Sequence, residues 1–434
     1  MTAPGGDRAT YREVLAERRF RLLFFTRTVA VTADSLRITT FAVLVFATTG
    51  SALFSALAFG IGFLPQLFGS LLLGSLADRL PPRPLIAGGY ALECAAALLL
   101  SLVRMPVAVS LGVVAVVAFI IPVFTGASSR LVARWLKGDA YVLGRSLYNI
   151  ASSSAQLFGL ALGGAAVATL GPHLALAMSA ALYLCCSLGI RLRLPRLGPG
   201  GSDDASGSAR AGGGAVRASL RDAGVLLRER LVRRLMLALW LPPAFVAGAE
   251  GLIVAYTGGR HFPPGWYALL MACLLGGMLV GDLLAGRLLQ PAARERLVVP
   301  LIVLMGLPLL GFATEPGVGL SACLLLLCGF GFAYALGLQR PFLDALPEDG
   351  QGHAFSLLSS GNMTVQGVGP ICFGAVAAGI GAGGAMALAG VAALLTAGWI
   401  LSWHSPTVPD YPASPESKSG TEHPACTPAA VDSA

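Results

Sequence analysis

Charge is scarce in this chain. Asp, Glu, Lys and Arg make up 12% of its 434 residues, about half the share of an ordinary soluble domain. Apolar residues reach 55%. A soluble protein of this length interrupts its apolar runs with a polar face every few positions, yet residues 107–124 and 318–336 contain no charged side chain. Runs of that length and purity are bilayer spans. Catalytic signatures are missing as well: no Gly-x-x-x-x-Gly-Lys loop, no His-Glu-x-x-His and no Gly-x-Ser-x-Gly elbow occurs. ATP-driven transport by this chain and hydrolase chemistry are thereby disfavoured. The five histidines are dispersed, with His173 and His261 in connections on one side and His353 on the other, so no enzyme site assembles from them. No metal or cofactor is expected.

Seven of the eight cysteines, Cys94, Cys185, Cys186, Cys273, Cys323, Cys328 and Cys372, fall inside apolar runs, with Cys426 in the tail. They have neither disulfide-framework nor metal-ligand spacing and are expected to pack as small buried hydrophobes.

What charge there is, is placed asymmetrically. The net charge is +8, and 26 of the 30 Lys and Arg lie in alternate connections: the first 21 residues, 79–83, 130–145, 191–234, 287–296, Arg340 and Lys418. The opposite connections hold only Arg104 and Arg260, and Arg27 and Arg37 fall inside the first span. This is the positive-inside pattern, which puts both termini and the central connection in the cytoplasm of a multi-pass protein of the inner (cytoplasmic) membrane. The basic excess then serves orientation and contact with membrane lipids. Nucleic-acid binding is not expected, because no aromatic residues interleave with the basic ones.

The architecture expected is an all-α membrane protein of twelve transmembrane helices in two pseudo-symmetric six-helix bundles. Spans are expected near 22–46, 52–77, 84–103, 107–127, 142–170, 173–192, 235–256, 266–289, 298–313, 318–339, 352–379 and 382–403. The chain then divides into a basic N-terminal segment 1–21, a first bundle 22–192, a cytoplasmic linker 193–234 with a short basic helix over 219–234, a second bundle 235–403 and a tail 404–434. Within the N-terminal segment, Tyr11–Arg21 has the pattern of an interfacial amphipathic helix. The stretch 196–218 is too rich in Gly, Ser and Ala to bury a core. The bundles repeat at a spacing near 210: Arg130, Ser146-Leu147, Gly159 and Gly164 match Arg340, Ser356-Leu357, Gly369 and Gly374, while Leu76-Ala77-Asp78-Arg79 parallels Leu284-Ala285-Gly286-Arg287.

Residues Gly74 to Pro84, GSLADRLPPRP, follow the second span on the basic side. They resemble the signature loop of the major facilitator superfamily, Gly-x-x-x-Asp-Arg followed by basic residues. The resemblance implies a conformational gate: Gly74 permits close helix approach, Asp78 docks near the start of the eleventh helix, and Arg79 and Arg83 hold the loop on its side. Pro81 and Pro82 depart from the family's usual Gly and Arg. The N-terminal segments RFRLLFFTRTVAVTADSLRITTFAVLVFATTGSALFSAL and GIGFLPQLFGSLLLGSLADR further resemble the enterobactin-exporter and macrolide-efflux branch, which implies export of siderophores, antibiotics or similar natural products. The family's fifth-span glycine motif is represented by Gly159, Gly163 and Gly164 without its proline, and a Gly-Pro pair stands in the other half as Gly369-Pro370. The fourth span lacks the arginine that many proton-drug antiporters carry.

A charge at membrane depth costs roughly 2.5 to 3.5 kcal/mol on insertion scales, so each demands a partner, water or a function. Asp34 and Arg37 stand three apart on the first span, spaced to pair, with Arg27 about two turns away. Glu250 on the seventh span falls within one residue of the position equivalent to Asp34. These residues are the candidates for proton coupling or substrate contact, with Gln66, Asn149, Gln156, Asn362 and Gln366 as polar candidates for the path; Glu93 and Asp282 are weaker ones. The expectation is a monomeric, proton-coupled exporter of a small organic molecule working by alternating access. An importer or facilitator of a small solute, and a transporter-like sensor, are the alternatives.

Overall fold

The computed structural model describes residues 11–73, 80–136, 139–195, 224, 227–263, 265–346 and 351–404. Gly74, Asp78 and Arg79, the linker stretch 196–218 and the tail beyond 404 lie outside the described residues. All regular structure among the described residues is helical. A short helix, Tyr11–Ala16, precedes span 1 (Arg18–Thr49). Span 2 comprises Ala52–Gly60 and Leu64–Leu73, followed by span 3 (Pro82–Leu102), span 4 (Val107–Trp135), span 5 (Asp139–Leu170) and span 6 (Pro172–Arg193). Span 7 is Arg230–Gly259 and span 8 Trp266–Leu288; span 9 is Val298–Leu310 with a 3-10 turn to Thr314, and span 10 is Val318–Phe330 continued by Tyr334–Asp344. Spans 11 and 12 are the two arms of Gln351–Leu401, which breaks at Gly381.

Within the described residues the expected segments fall on these helices and arms; 74–77 of the second lies outside the described residues. Nine helices are long and apolar enough to cross a membrane among the described residues, with the Gly381-broken helix counted once; Ser154–Leu170 and Val298–Thr314 are shorter. Two local expectations need correction. The expected helix Tyr11–Arg21 breaks at Glu17, whose carboxylate accepts a hydrogen bond from the Arg19 amide and so caps a new helix. Of the expected basic helix over 219–234, residues 219–223 and 225–226 lie outside the described residues; 224, 227 and 228 are helical, and Arg230, Arg233 and Arg234 belong to the first turns of span 7 beyond the break at Glu229. Span 2 is interrupted at 61–63, because Pro65 has no amide proton to close the turn across Ile61.

The turns sort by side. Gly50, Gly171, Gly265 and Gly381 have φ of 62°, 83°, 92° and 79°, and His261 and Glu315 are the positive-φ non-glycine residues. All six lie in the connections opposite the termini, called here the loop end. Gly171 and Gly381 are each a single residue reversing the chain between two helices, a conformation that a side chain would strain. They stand 210 apart (381 − 171), as do Pro106 and Pro316 of the adjacent turns (316 − 106), which extends the repeat found in the sequence.

Packing carries the same symmetry. A Cβ at Gly159 would lie 2.5 Å from the Thr32 carbonyl oxygen of span 1, and one at Gly369 would lie 2.3 Å from the Ala244 carbonyl oxygen of span 7. Five residues on, Gly164 meets Ala268 of span 8 and Gly374 meets Ala56 of span 2. The first pair therefore packs helices within a bundle, and the second packs one bundle against the other. One apolar core includes Phe41, Val45 and Ala56 of the first bundle together with the interior of the second. A separate core, built on Phe20, Leu23, Ile86, Tyr90 and Tyr183, fills the terminal end of the first bundle and contains no residue beyond Leu194. Among the described residues, the bundles are thus fused at the loop end and have distinct cores at the terminal end.

That geometry yields a prediction. A side chain at Gly164 penalises the loop-end contact, since its Cβ would sit 2.3 Å from the Cβ of Ala268. Overpacking of this kind costs about 1 to 3 kcal/mol. Cross-linking between Phe46→Cys and Gly258→Cys, whose positions touch across the same contact, is expected to fall about fivefold or more when Gly164→Val is added.

Candidate functional site

The first bundle holds a charged cluster at mid-membrane. Arg37 is buried, with its side chain 7% exposed, while that of Asp34 is 28% exposed. Helical spacing brings them together with an Arg37 nitrogen 3.6 Å from Asp34 Oδ1. The shorter links run through Tyr183 of span 6: its hydroxyl donates to Asp34 Oδ1 at 2.6 Å and accepts from Arg37 Nε at 3.2 Å. Glu93 of span 3 is 3% exposed and lies within electrostatic reach of Asp34, Arg37 and Arg27. Spans 1, 3 and 6 therefore converge on two carboxylates, two guanidinium groups and a phenol. Tyr183 carried no signal in the sequence, because one tyrosine in an apolar run reads as core.

The second bundle answers this with one unclasped carboxylate. Glu250 is half-buried on span 7 and has no hydrogen bond or ion pair among the described residues. It shares a helix face with Pro243, seven residues and about 10 Å nearer the terminal end. Pro243 and Leu239 line a cavity of about 490 Å³ completed by Tyr334, Gln339 and Phe342 of span 10 and Asn362 and Gln366 of span 11. No charged side chain among the described residues lines this cavity. The Asn362 Oδ1 is buried without a hydrogen-bond partner, whereas Trp240 beside it donates to the Leu358 carbonyl at 3.1 Å. Pro242 and Pro243 lie inside the continuous helix of span 7, and a 3-10 turn at Gly331–Ala333 interrupts span 10.

The remaining sequence candidates separate. Gln66 does not join either group; its Nε2 donates to the Gly62 carbonyl and braces the break in span 2. Gln156 is exposed on span 5, and the side chain of Asn149 lies outside the described residues. Gly163 packs against Leu36 and Thr39, and Pro370 against Gly60 and Gly251. Arg83 sits at the first turn of span 3 and donates from Nε to the Arg191 carbonyl at 3.1 Å. Asp282 is exposed, away from both sites. Cys94, Cys186 and Cys328 are buried as expected, but Cys185, Cys323 and Cys372 are exposed on outer helix faces, where lipid solvates a thiol as readily as a core does. Among the described residues no group of His, Cys, Asp and Glu could hold a metal ion.

The chain matches the Major Facilitator Superfamily over residues 23–345. It belongs to that superfamily. This facilitator is thus a multi-pass membrane transporter, not an enzyme. Among solved structures it resembles the nucleoside transporter NupG, with a TM-score of 0.69, 16% identity, and coverage of 90% of this chain and 100% of that one. It also resembles a POT family transporter in complex with 5-aminolevulinic acid (TM-score 0.67, 11% identity, 89% and 96% covered). A bacterial homolog of the human lysosomal transporter Spinster, in an inward-facing and unoccupied conformation, aligns with a TM-score of 0.63 at 14% identity, covering 91% and 96%. At such identities the likeness is one of fold. No curated protein matches the facilitator in sequence.

Proposed function

We propose that this facilitator exports a small organic molecule across the inner membrane by alternating access, with protons as the coupling ion. The bundles 22–192 and 235–403 rock as bodies about the glycine contacts, and the terminal end, which carries the basic residues, is cytoplasmic. The conformation described, joined at the loop end, is then open to the cytoplasm. The observation that carries the coupling is the contrast between Asp34, clasped by Tyr183 and Arg37, and Glu250, which has neither hydrogen bond nor ion pair among the described residues. A half-buried carboxylate without a counter-charge is stabilised by a proton or a cationic solute, and its face of span 7 leads to the amide-lined cavity. A monomer suffices, since one chain holds both carboxylates and the whole lining of the cavity.

In inverted membrane vesicles given a pH gradient and a panel of siderophore-like and macrolide-like compounds, uptake of at least one compound is expected. Glu250→Gln is expected to lower gradient-driven uptake tenfold or more, by about 1.4 kcal/mol or more in driving-step terms, while leaving solute exchange without a gradient intact. If Asp34→Asn and Glu250→Gln both leave gradient-driven uptake unchanged, coupling through these residues is wrong. The uncharged lining of the cavity favours one second reading, facilitated entry of a neutral hydrogen-bonding solute. Under that reading, uptake into right-side-out vesicles proceeds without any gradient.

A further inference from the structure

We propose that the groove between spans 3 and 6 at the terminal end binds one acidic phospholipid, with the phosphate held by Arg83 and Arg191 and an acyl chain lying along Gly88 and Ala91. The groove is a cavity of about 620 Å³ on the outer surface of the first bundle, lined by Pro81, Arg83, Ala87, Gly88, Ser187 and Arg191 among others. Its position is separate from the cluster at Asp34 and from the cavity at Asn362, so it does not rest on the transport reading.

The mouth is cationic and held in place. Arg83 stands between Pro82 and Pro84, and its guanidinium donates to the carbonyl of Arg191 at the C-terminal turn of span 6, where helix carbonyls lack partners. That bond uses acceptor capacity of the backbone and leaves the positive charge of Arg83 uncompensated. Neither Arg83 nor Arg191 has a carboxylate partner among the described residues. Two guanidinium groups at one mouth match the planar, multiple hydrogen bonding that a phosphodiester accepts.

Beyond the mouth the walls are apolar and the floor is small. A Cβ on Gly88 would meet nothing within 4 Å, so the space above it is open. Leu184, Leu188 and Leu192 repeat along the exposed face of span 6 at spacings that keep them on one side. The two helices are clipped at both ends: Ser187 Oγ donates to the Ala87 carbonyl at 2.8 Å, and Ser101 Oγ donates to the His173 carbonyl at 2.8 Å. A groove with fixed walls, an apolar trough and a cationic rim at one end matches a lipid, which has charge at one end only. A soluble anion would leave the trough empty.

The test uses the full-length protein, purified in detergent and titrated with phosphatidylglycerol or phosphatidylcholine, with bound lipids counted by native mass spectrometry. The unmodified protein is expected to retain one phosphatidylglycerol in strong preference to phosphatidylcholine. Because each basic group near a phosphate contributes about 1 kcal/mol, the double variant Arg83→Gln/Arg191→Gln should lower that preference about thirtyfold. Gly88→Leu, which fills the trough and leaves both arginines in place, should abolish retention of the same lipid. A thermal melt matching the unmodified protein shows that each variant is folded. Retention unchanged in both variants overturns the proposal, as does displacement of the lipid by millimolar inorganic phosphate with Gly88→Leu retaining full phosphate binding, which would reveal a free-anion site.

Discussion

Leucine at Gly159 or at Gly369 is expected to remove the folded protein from the membrane. At these positions a Cβ alone would lie 2.5 Å from the Thr32 carbonyl oxygen or 2.3 Å from the Ala244 carbonyl oxygen, and neither neighbour is a flexible side chain that can turn away. Spans 1 and 5, or 7 and 11, must part to admit the group. In lipid, helix association depends on close packing more than on any aversion to the solvent, so separation along a whole helix pair is not offset by burial elsewhere. The hydrogen bond from Thr32 Oγ1 to the Ala155 carbonyl at 3.3 Å would go with it. The measurement is the yield of monodisperse protein after detergent extraction, expected to fall tenfold or more for either substitution, about 1.4 kcal/mol or more and in keeping with the roughly 1 to 3 kcal/mol of overpacking. Leucine at Gly112 or Gly286, where nothing lies within 4 Å, should leave the yield unchanged. Equal yields for all four would show that these close approaches do not limit assembly.

The second large effect concerns Arg37. Replacing it with methionine keeps the length of the side chain but leaves Asp34 and the buried Glu93, which repel each other, without the guanidinium that attracts both. Breaking a buried pair by removing one partner costs about 3 to 5 kcal/mol, because the surviving charge keeps its desolvation and loses its compensation. Stability to unfolding in detergent should fall by about that amount for Arg37→Met. Adding Asp34→Asn should recover part of the loss, since it deletes the orphaned charge and retains an acceptor for the Tyr183 hydroxyl. The contrast is Arg340→Met: its nitrogen lies 3.7 Å from Asp344 with both side chains about 70% exposed, and such pairs contribute about 0 to 1 kcal/mol. If the two substitutions prove equally mild, the cluster is not a structural clasp.

Much of this architecture is legible in the residues. Scarcity of charge locates the spans, and Gly159 and Gly369, 210 residues apart in sequence, touch carbonyls at equivalent places on spans 1 and 7, those of Thr32 and Ala244. Pairing of Asp34 with Arg37 follows from helical spacing. Tyr183 does not follow, because it is 149 residues from Asp34 and its chemistry is set by the packing of span 6 on span 1. Glu93 is visible as a charge in an apolar run, but its place in the cluster depends on span 3. The polar candidates divided for a similar reason. Gln66 satisfies a carbonyl freed by the break in its own helix, while Asn362 and Gln366 of span 11 line a cavity whose other walls come from spans 7 and 10. Periodicity predicts a helix and a face; it carries no information on where a helix stops being straight.

The loop-end turns have a consequence for how the protein is encountered. None is longer than the six positions 260–265, and two are a single glycine. Hairpins so tight offer a protease no extended strand to cleave and an antibody almost no protruding epitope. Among the described residues, the loop end thus offers other macromolecules little beyond helix ends and short turns.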